Sequence, residues 1–185
     1  MVPLVMIRDS LKDLPVLEVP TDYTIRTFRP GDECEWERIV ACSFETPRSF
    51  NQIMREDPSF DPERVFFALK DDVPVATAAA WYHPLWGGQY GYLHFVGVEP
   101  AYQGNRLGYL LSLAALHRFA AEGRTMAALE TEYFRIPAIK TYLRLGFRPQ
   151  LSGDSRGTWR RLSLRYGLNV DLNESSWIDQ FTDQQ

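Results

Sequence analysis

The amino-acid sequence predicts a mixed α/β fold, in which helices pack on a mixed sheet. The chain has 185 residues, which suits one domain of ordinary size, and 45% of them are apolar, enough for a sizeable core. Segments with the two-residue period of strands alternate with segments of helical period, and Gly or Pro residues separate most of them. The predicted order is β-α-α-β-β-β-α-β-α, followed by a tail.

The first part of the chain contains a strand, two helices and a hairpin. Residues 1–20 include three prolines and are predicted to form an extended lead-in. Asp32 and Glu35 have the spacing of a capping box, so a helix is expected to start between them. The predicted elements of this part are a strand over 23–28, the helix after Asp32, a second helix from Thr46-Pro47 to Asp57-Pro58, and hairpin strands over 65–69 and 73–82.

The second part alternates strands with helices. Its predicted elements are a central strand over 89–98, a long helix over 107–122, a short strand over 126–130 and a helix over 137–145. Gly123 and Gly146 follow the two helices at the position typical of a C-cap. Residues 158–166 fit a helix capped by Gly167 slightly better than a last strand. We therefore expect one domain over residues 21–167 and a polar tail over 168–185.

Charge and composition argue against several classes of protein. The formal net charge is -4 and the isoelectric point is near 5.4, which disfavours general binding to nucleic acid. The N-terminal segment is interrupted by charged residues and does not resemble a signal peptide, and no stretch reaches the ~20 apolar residues that span a bilayer. We expect a cytoplasmic protein that binds neither nucleic acid nor membrane.

The two cysteines are expected to be structural. Cys34 and Cys42 stand eight residues apart in one predicted helix, a separation of roughly 12 Å along the axis, which is too long for a disulfide. No CxxC pair or His–Cys cluster suggests zinc, so no metal is expected. Both residues are predicted to be reduced thiols in the core, which fits a reducing cytosol.

The most informative segment joins the central strand to the long helix. Residues 98–111 read VEPAYQGNRLGYLL. Backbone N–H groups at the start of a helix, together with the helix dipole, form an anion site, and glycine lets the chain approach the anion closely. The segment therefore predicts a ligand that carries phosphate. The spacing does not fit a Walker loop, which ends in Gly-Lys-Ser/Thr.

A second segment, residues 138–147, reads AIKTYLRLGF. Together the two segments resemble the GNAT superfamily of acetyl-CoA-dependent N-acetyltransferases, whose loop has the form Q/R-x-x-G-x-G/A and whose later signature is A-x-x-x-Y-x-x-x-G-F. The order and separation of the motifs match, as do the lead-in YTIRTFRPGDECEWERIV and the central hairpin, over roughly residues 21 to 150. One departure is Arg106, which occupies the position of the loop's second usual glycine.

The resemblance implies a GNAT-like fold with splayed central strands. It also implies a reaction in which an acetyl group passes from acetyl-CoA to a primary amine of a small molecule or peptide by direct attack. The backbone N–H of Val96 is the implied donor to the oxyanion, and Arg106 either contacts a CoA phosphate or points into solvent. The residues implied to bind acetyl-CoA are Val96, Gly97, Val98, Gln103, Gly104, Asn105, Arg106, Leu107 and Gly108.

The resemblance also suggests catalytic residues. Tyr142 matches the tyrosine that protonates the leaving thiolate in many family members. His94 is the best candidate for the general base, because a histidine titrates near pH ~6.5 and because His94, two residues before Val96 on a strand, is expected to point to the same face as Val96. Glu130 is an alternative base. Tyr142 and His94 also fit ordinary core positions.

Other features leave alternatives open. Phe44, Trp81 and Tyr82 are predicted to line the acceptor pocket, although aromatic residues at such positions also occur in cores. A non-catalytic module that binds acyl-CoA, or a scaffold without a CoA site, would share the same fold. A homodimer is possible, and neither the acceptor amine nor the acyl chain length follows from the sequence.

Overall fold

The computed structural model describes residues 3–172. The strands are β1 Leu4–Arg8, β2 Thr24–Thr27, β3 Val65–Lys70, β4 Val73–Trp81, β5 Tyr90–Val98, β6 Met126–Thr131 and β7 Arg148–Pro149. The helices are α1 Glu33–Phe44, α2 Leu107–Ala121, α3 Ile136–Arg144 and α4 Gly153–Tyr166. Single helical turns lie at Asn51–Arg55, Pro62–Arg64, Pro84–Trp86 and Pro100–Tyr102. The predicted mixed α/β class is confirmed, whereas residues 173–185 of the predicted tail lie outside the described residues.

The described chain forms two compact units. The larger unit comprises residues 10–127, and the smaller comprises residues 3–9 and 128–172. No helix within residues 3–172 is long and apolar enough to cross a membrane.

In the larger unit the strands pair in the order β2-β3-β4-β5, all antiparallel. Asp71 and Asp72 join β3 to β4 with φ angles of 50° and 64°. Two consecutive residues at positive φ are typical of the type I′ hairpin turn, whose twist matches that of the flanking strands. This turn sets the pairing of Lys70 with Val73, and a one-residue register shift between Ala68 and Leu69 then places Val65 opposite Ala79.

Two helices cover this part of the sheet. Helix α2 buries a nearly continuous apolar surface that includes Leu107, Leu110 and Leu111, which form one core cluster with Val75 and Ala78 of the sheet. Helix α1 buries a narrower apolar stripe and carries most of its charge on the solvent side. The buried residues of that stripe are Trp36, Ile39 and Val40.

Two expectations about α1 are wrong. Cys34 and Cys42 are exposed, because their positions on the helix fall outside the buried stripe. The predicted capping box is absent as well. The carboxylate of Asp32 instead accepts hydrogen bonds from the Arg26 guanidinium, at 2.6 and 2.9 Å, and from the Arg29 backbone N–H at 2.6 Å. Asp32 thus ties the strand before the helix to the helix start.

The smaller unit contains strands in the order β6-β1-β7. Strand β1 lies within the predicted lead-in, and it pairs antiparallel with β7, with Met6 opposite Pro149. A short hydrophobic run broken by charges at residues 8 and 9 does not by itself predict a strand, because the pairing partner lies about 140 residues away in the chain. Residues 158–166, for which the sequence left a helix and a last strand open, belong to helix α4. Gly167 caps the end of this helix with φ of 61°.

Candidate active site

The loop between β5 and α2 has the geometry of an anion site. After the turn Pro100–Tyr102 the chain passes through Gly104, with φ of 85°, and enters α2 at Leu107. The Asn105 side-chain amide donates to the Tyr102 carbonyl at 3.0 Å, which holds the loop in place. Because the first N–H groups of a helix have no intrahelical acceptor, they remain available to a ligand.

Arg106, which replaces the second usual glycine of the family motif, has a left-handed backbone. The residue adopts φ of 61° and ψ of 12°, the left-handed conformation that glycine takes without cost. A residue with a Cβ pays about 1 kcal/mol there. The Arg106 side chain is exposed, and its guanidinium lies 5.2 Å from the centre of the Tyr109 ring. The loop therefore keeps the glycine-like backbone with an arginine in it.

We expect Arg106→Gly to raise the free energy of unfolding by about 0.5–1 kcal/mol. Relief of the left-handed strain outweighs the greater freedom of glycine in the unfolded chain. Urea unfolding measures the change. Asn105→Gly is the matched control, because Asn105 is not among the described residues with positive φ and the substitution removes a hydrogen bond. Equal destabilisation of both variants would contradict the strain at Arg106.

Strand β5 carries a bulge in its second half. Thr77 of β4 pairs with Gly97, but Ala79 pairs with His94, so three residue steps on β5 oppose two on β4. Phe95 takes up the extra residue with φ of 47°. A bulge of this kind bends the strand and redirects the side chains on either side of it.

The bulge overturns the expectation that His94 and Val96 point to one face. Phe95 packs against Trp36 and Phe44 of α1, with ring centres 4.9 and 5.9 Å apart, and the His94 ring lies 3.9 Å from the Phe95 ring. Val96 packs instead with the core cluster that includes the leucines of α2. The extra residue inverts the two-residue alternation, which sequence spacing alone cannot show.

Gly97 is explained by close packing. A Cβ on Gly97 would lie 2.8 Å from the Ser43 Oγ and 3.5 Å from the Ile39 Cγ2, both on α1. The absent side chain thus lets α1 approach the strand directly after the bulge. This contact accounts for the glycine without any ligand, and the implied binding role of its backbone remains a proposal.

A cavity of about 1030 Å³ opens beside His94 in the larger unit. Of the three residues predicted to line an acceptor pocket, Trp81 and Tyr82 line this cavity, whereas Phe44 packs against Phe95 and is not among the lining residues. The remaining lining residues are Ile53, Asp57, Pro58, Ser59, Arg64, His83, Pro84, Gly88, Tyr92, Glu122 and Arg124. Sequence reasoning missed most of these, because they come from several separate segments; Asp57-Pro58 carried only the signal of a helix end.

The surroundings of His94 keep its ring neutral. The side chain is half-buried, and burial, followed by the charges of Arg48 and His83, lowers the pKa of His94 to about 4, while Asp57 opposes the shift. A neutral imidazole at pH 7 can accept a proton, as a general base requires. The lowered pKa also makes His94 a weaker base than a histidine in water.

The pKa of His94 predicts a pH dependence of stability. Between pH 6.5 and about 4 the unfolded chain binds a proton at His94 and the folded chain does not, so wild-type stability falls as the pH falls through this window. His94→Gln removes this loss, and we expect it to gain on the order of 2 kcal/mol relative to wild type between pH 7 and pH 4. Urea unfolding at several pH values measures the difference. A constant difference across the window would contradict the lowered pKa of His94.

The other histidines have structural contacts. The His83 Nδ1 accepts a hydrogen bond from the Leu85 backbone N–H at 3.4 Å, and the ring also lines the cavity. The His117 Nε2 lies 2.9 Å from the Pro15 carbonyl oxygen. Neither contact suggests a role in proton transfer.

Tyr142 and Glu130 belong to the smaller unit. Tyr142 is buried on α3, with its ring 6.0 Å from that of Phe147. Burial, opposed by Arg135 and assisted by Glu132, raises the pKa of the Tyr142 phenol well above its usual value, so it stays protonated. Among the described residues none hydrogen-bonds its hydroxyl. Glu130 is exposed on β6.

The smaller unit has a groove of its own, with a volume of about 1100 Å³. Tyr133 and Phe134 border it together with residues of α4. None of the predicted site residues lines this groove.

Comparison with known proteins identifies the family. The model of the acetyltransferase (GNAT) family matches residues 31–147, which include the bulged strand, the loop and Tyr142. The chain belongs to the GNAT acetyltransferase family. The resemblance drawn from the loop and from the AIKTYLRLGF segment is confirmed.

The relatives of the chain include proteins named mycothiol acetyltransferases. The chain is 34% identical over 154 residues to a mycothiol acetyltransferase of Thermomonospora curvata, covering 78% of this chain and 51% of the relative. It is 41% identical over 142 residues to that of Gordonia bronchialis, covering 72% and 46%. A GCN5-related N-acetyltransferase from Sphaerobacter thermophilus superposes with a TM-score of 0.63 at 26% identity, over 80% of this chain and 48% of the other. The chain thus spans about half the length of these relatives.

Proposed function

We propose that the chain is an N-acetyltransferase that moves an acetyl group from acetyl-CoA to a primary amine by direct attack. The observation that carries the proposal is the loop from Gln103 to Gly108, in which a glycine-like backbone leads into the exposed N-terminus of α2. The diphosphate of CoA is an anion that such a loop suits. Family membership supports the same cosubstrate.

Each step of the reaction has a candidate residue. The amine nitrogen attacks the thioester carbon, the carbon–sulfur bond breaks, and the nitrogen loses a proton, so the products are an acetyl amide and CoA. The Val96 backbone N–H is the proposed donor to the oxyanion, a contact worth ~3 kcal/mol in other acyl transfers. His94, or Glu130 as the alternative, takes the proton from nitrogen, and Tyr142 donates to the leaving sulfur.

The names of the relatives suggest an acceptor to test first. Both sequence relatives described above are named mycothiol acetyltransferases. The amine that becomes acetylated in mycothiol is therefore the first candidate acceptor for this chain.

A second candidate is a module that binds acyl-CoA without turnover. The pKa of His94, lowered to about 4, favours it, because so weak a base draws protons from an amine poorly. The two candidates share the CoA site and differ only in product formation.

Thermal unfolding with acetyl-CoA, CoA and ATP tests the CoA site. At ~100 times its Kd a ligand of the native state adds ~2.7 kcal/mol of stability. We expect acetyl-CoA and CoA to raise the Tm by several degrees and ATP to have little effect. No shift with either CoA species would overturn the proposal.

Release of the CoA thiol in the presence of amines then separates the two candidates. Acetyl-CoA with the mycothiol acceptor, and with a panel of alkyl and aryl amines, should yield product with at least one of them. CoA binding without turnover on any acceptor would favour the binding module.

A further inference from the structure

We propose that Asp57, in the wall of the cavity beside His94, anchors the positively charged nitrogen of the acceptor. The inference rests on the proposed function and names a binding residue of the same site. Asp57 is thereby a specificity-determining residue.

Asp57 lies at the cavity wall in a defined orientation. It follows the helical turn Asn51–Arg55, it is half-buried, and it lines the cavity together with His94. Its Oδ1 accepts a hydrogen bond from the Ser59 backbone N–H at 2.7 Å, which fixes the carboxylate. Within residues 3–172 its side chain forms no ion pair and accepts this one hydrogen bond.

The other carboxylate and the two arginines of the cavity wall form ion pairs with one another. The Glu122 carboxylate accepts from Arg64 Nε at 2.8 Å and lies 3.6 Å from Arg124 Nε. Arg64 Nη1 also donates to the Ser59 carbonyl at 3.0 Å, and Arg124 Nη1 donates to the Gly88 and Tyr90 carbonyls at 3.2 and 3.1 Å. The two arginines of the wall are thus held by acceptors of the fold, whereas the Asp57 carboxylate forms no ion pair with either of them.

Aromatic rings in the wall of the same cavity favour the same charge. The Tyr92 ring lies between the rings of His83 and His94, with centres 5.4 and 5.2 Å away, and Trp81 stands opposite Tyr92 in the strand pair. The faces of tyrosine and tryptophan attract ammonium groups by about 0.5–2 kcal/mol. A carboxylate and two such rings in one cavity form a site for a cation.

The charge of the nitrogen matters both on arrival and during reaction. An alkylamine is protonated at pH 7, as the lysine pKa near ~10.4 illustrates, and an arylamine is not. After attack on the thioester the nitrogen again carries positive charge until it loses its proton. A carboxylate at Asp57 stabilises both states, and the charges that act on His94 from the surrounding elements are Arg48, His83 and Asp57 itself.

Calorimetric binding of a small probe tests the proposal without acetyl-CoA. The probe is 2-phenylethylammonium, and 2-phenylethanol is its neutral counterpart. We expect wild type to bind the ammonium and to prefer it over the alcohol, and Asp57→Asn to bind the ammonium at least tenfold more weakly. Asp57→Glu restores the charge and should recover part of the affinity.

Glu56→Gln is the matched control, because Glu56 is the neighbouring carboxylate and is exposed. It should bind the ammonium within twofold of wild type. An Asp57→Asn affinity within twofold of wild type, equal affinity of wild type for ammonium and alcohol, or no binding of either probe would each overturn the proposal. Because CoA is absent from this measurement, its failure is distinct from failure of the thermal-shift and thiol-release experiments.

Discussion

Replacement of Tyr142 by phenylalanine is expected to lower kcat by roughly 10²–10⁴-fold, the range of a proton donor, with little change in acetyl-CoA affinity. A donor at sulfur protonates the CoA thiolate as the carbon–sulfur bond breaks. The substitution should leave the fold intact, because the ring remains and no described residue hydrogen-bonds the lost hydroxyl. Steady-state kinetics with thermal shift by CoA measures both properties.

The raised pKa of Tyr142 adds a pH criterion. Burial is its main cause, so the phenol stays protonated as the pH rises through 10, and no loss of activity near that pH should come from this group. Tyr133→Phe is the control within the same unit, since Tyr133 is 43% exposed and stands outside the motif. A Tyr142→Phe kcat within twofold of wild type would remove the residue from the mechanism.

Gly91→Ala is expected to destabilise the fold by about 3 kcal/mol or more, the upper range for overpacked cores. A Cβ on Gly91 would lie 2.2 Å from two carbons of the Phe119 ring and 2.4 Å from a third. Phe119 is fully buried on α2, so its ring cannot turn aside into solvent to make room for the Cβ. Urea unfolding measures the loss.

Gly88→Ala provides the comparison. A Cβ there has no atom within 4 Å among the described residues, and the backbone is not in the left-handed region. Its unfolding free energy should stay within about 0.5 kcal/mol of wild type. A similar small effect for Gly91→Ala would show that α2 can shift away from the sheet.

The sequence predicted the regular elements that carry their own local signal. Strands β3, β4 and β5 and helices α1 and α2 follow from residue periodicity, turn residues and glycine at the helix ends. Strand β1 escaped prediction because its support is a distant pairing with β7. The exposure of Cys34 and Cys42 escaped it because burial depends on which face of α1 meets the sheet.

The same distinction holds for the candidate site. The loop was visible because glycine, a helix start and the motif are contiguous in the chain. The bulge at Phe95 was not, because one extra residue is defined only by the register with β4. Its consequence, that His94 and Val96 face opposite sides, reversed an inference from spacing alone.

By itself, then, the amino-acid sequence determined the mixed α/β class, the order of most elements, and the family through two contiguous motifs. The tertiary structure alone decided the face to which His94 points, the left-handed backbone at Arg106, and the cavity that unites Asp57 with Trp81 and Tyr82. The physical reason is the separation along the chain over which each kind of interaction acts. Periodicity and turn chemistry act within a few residues, whereas register, burial and cavity lining arise from contacts between segments far apart in the chain.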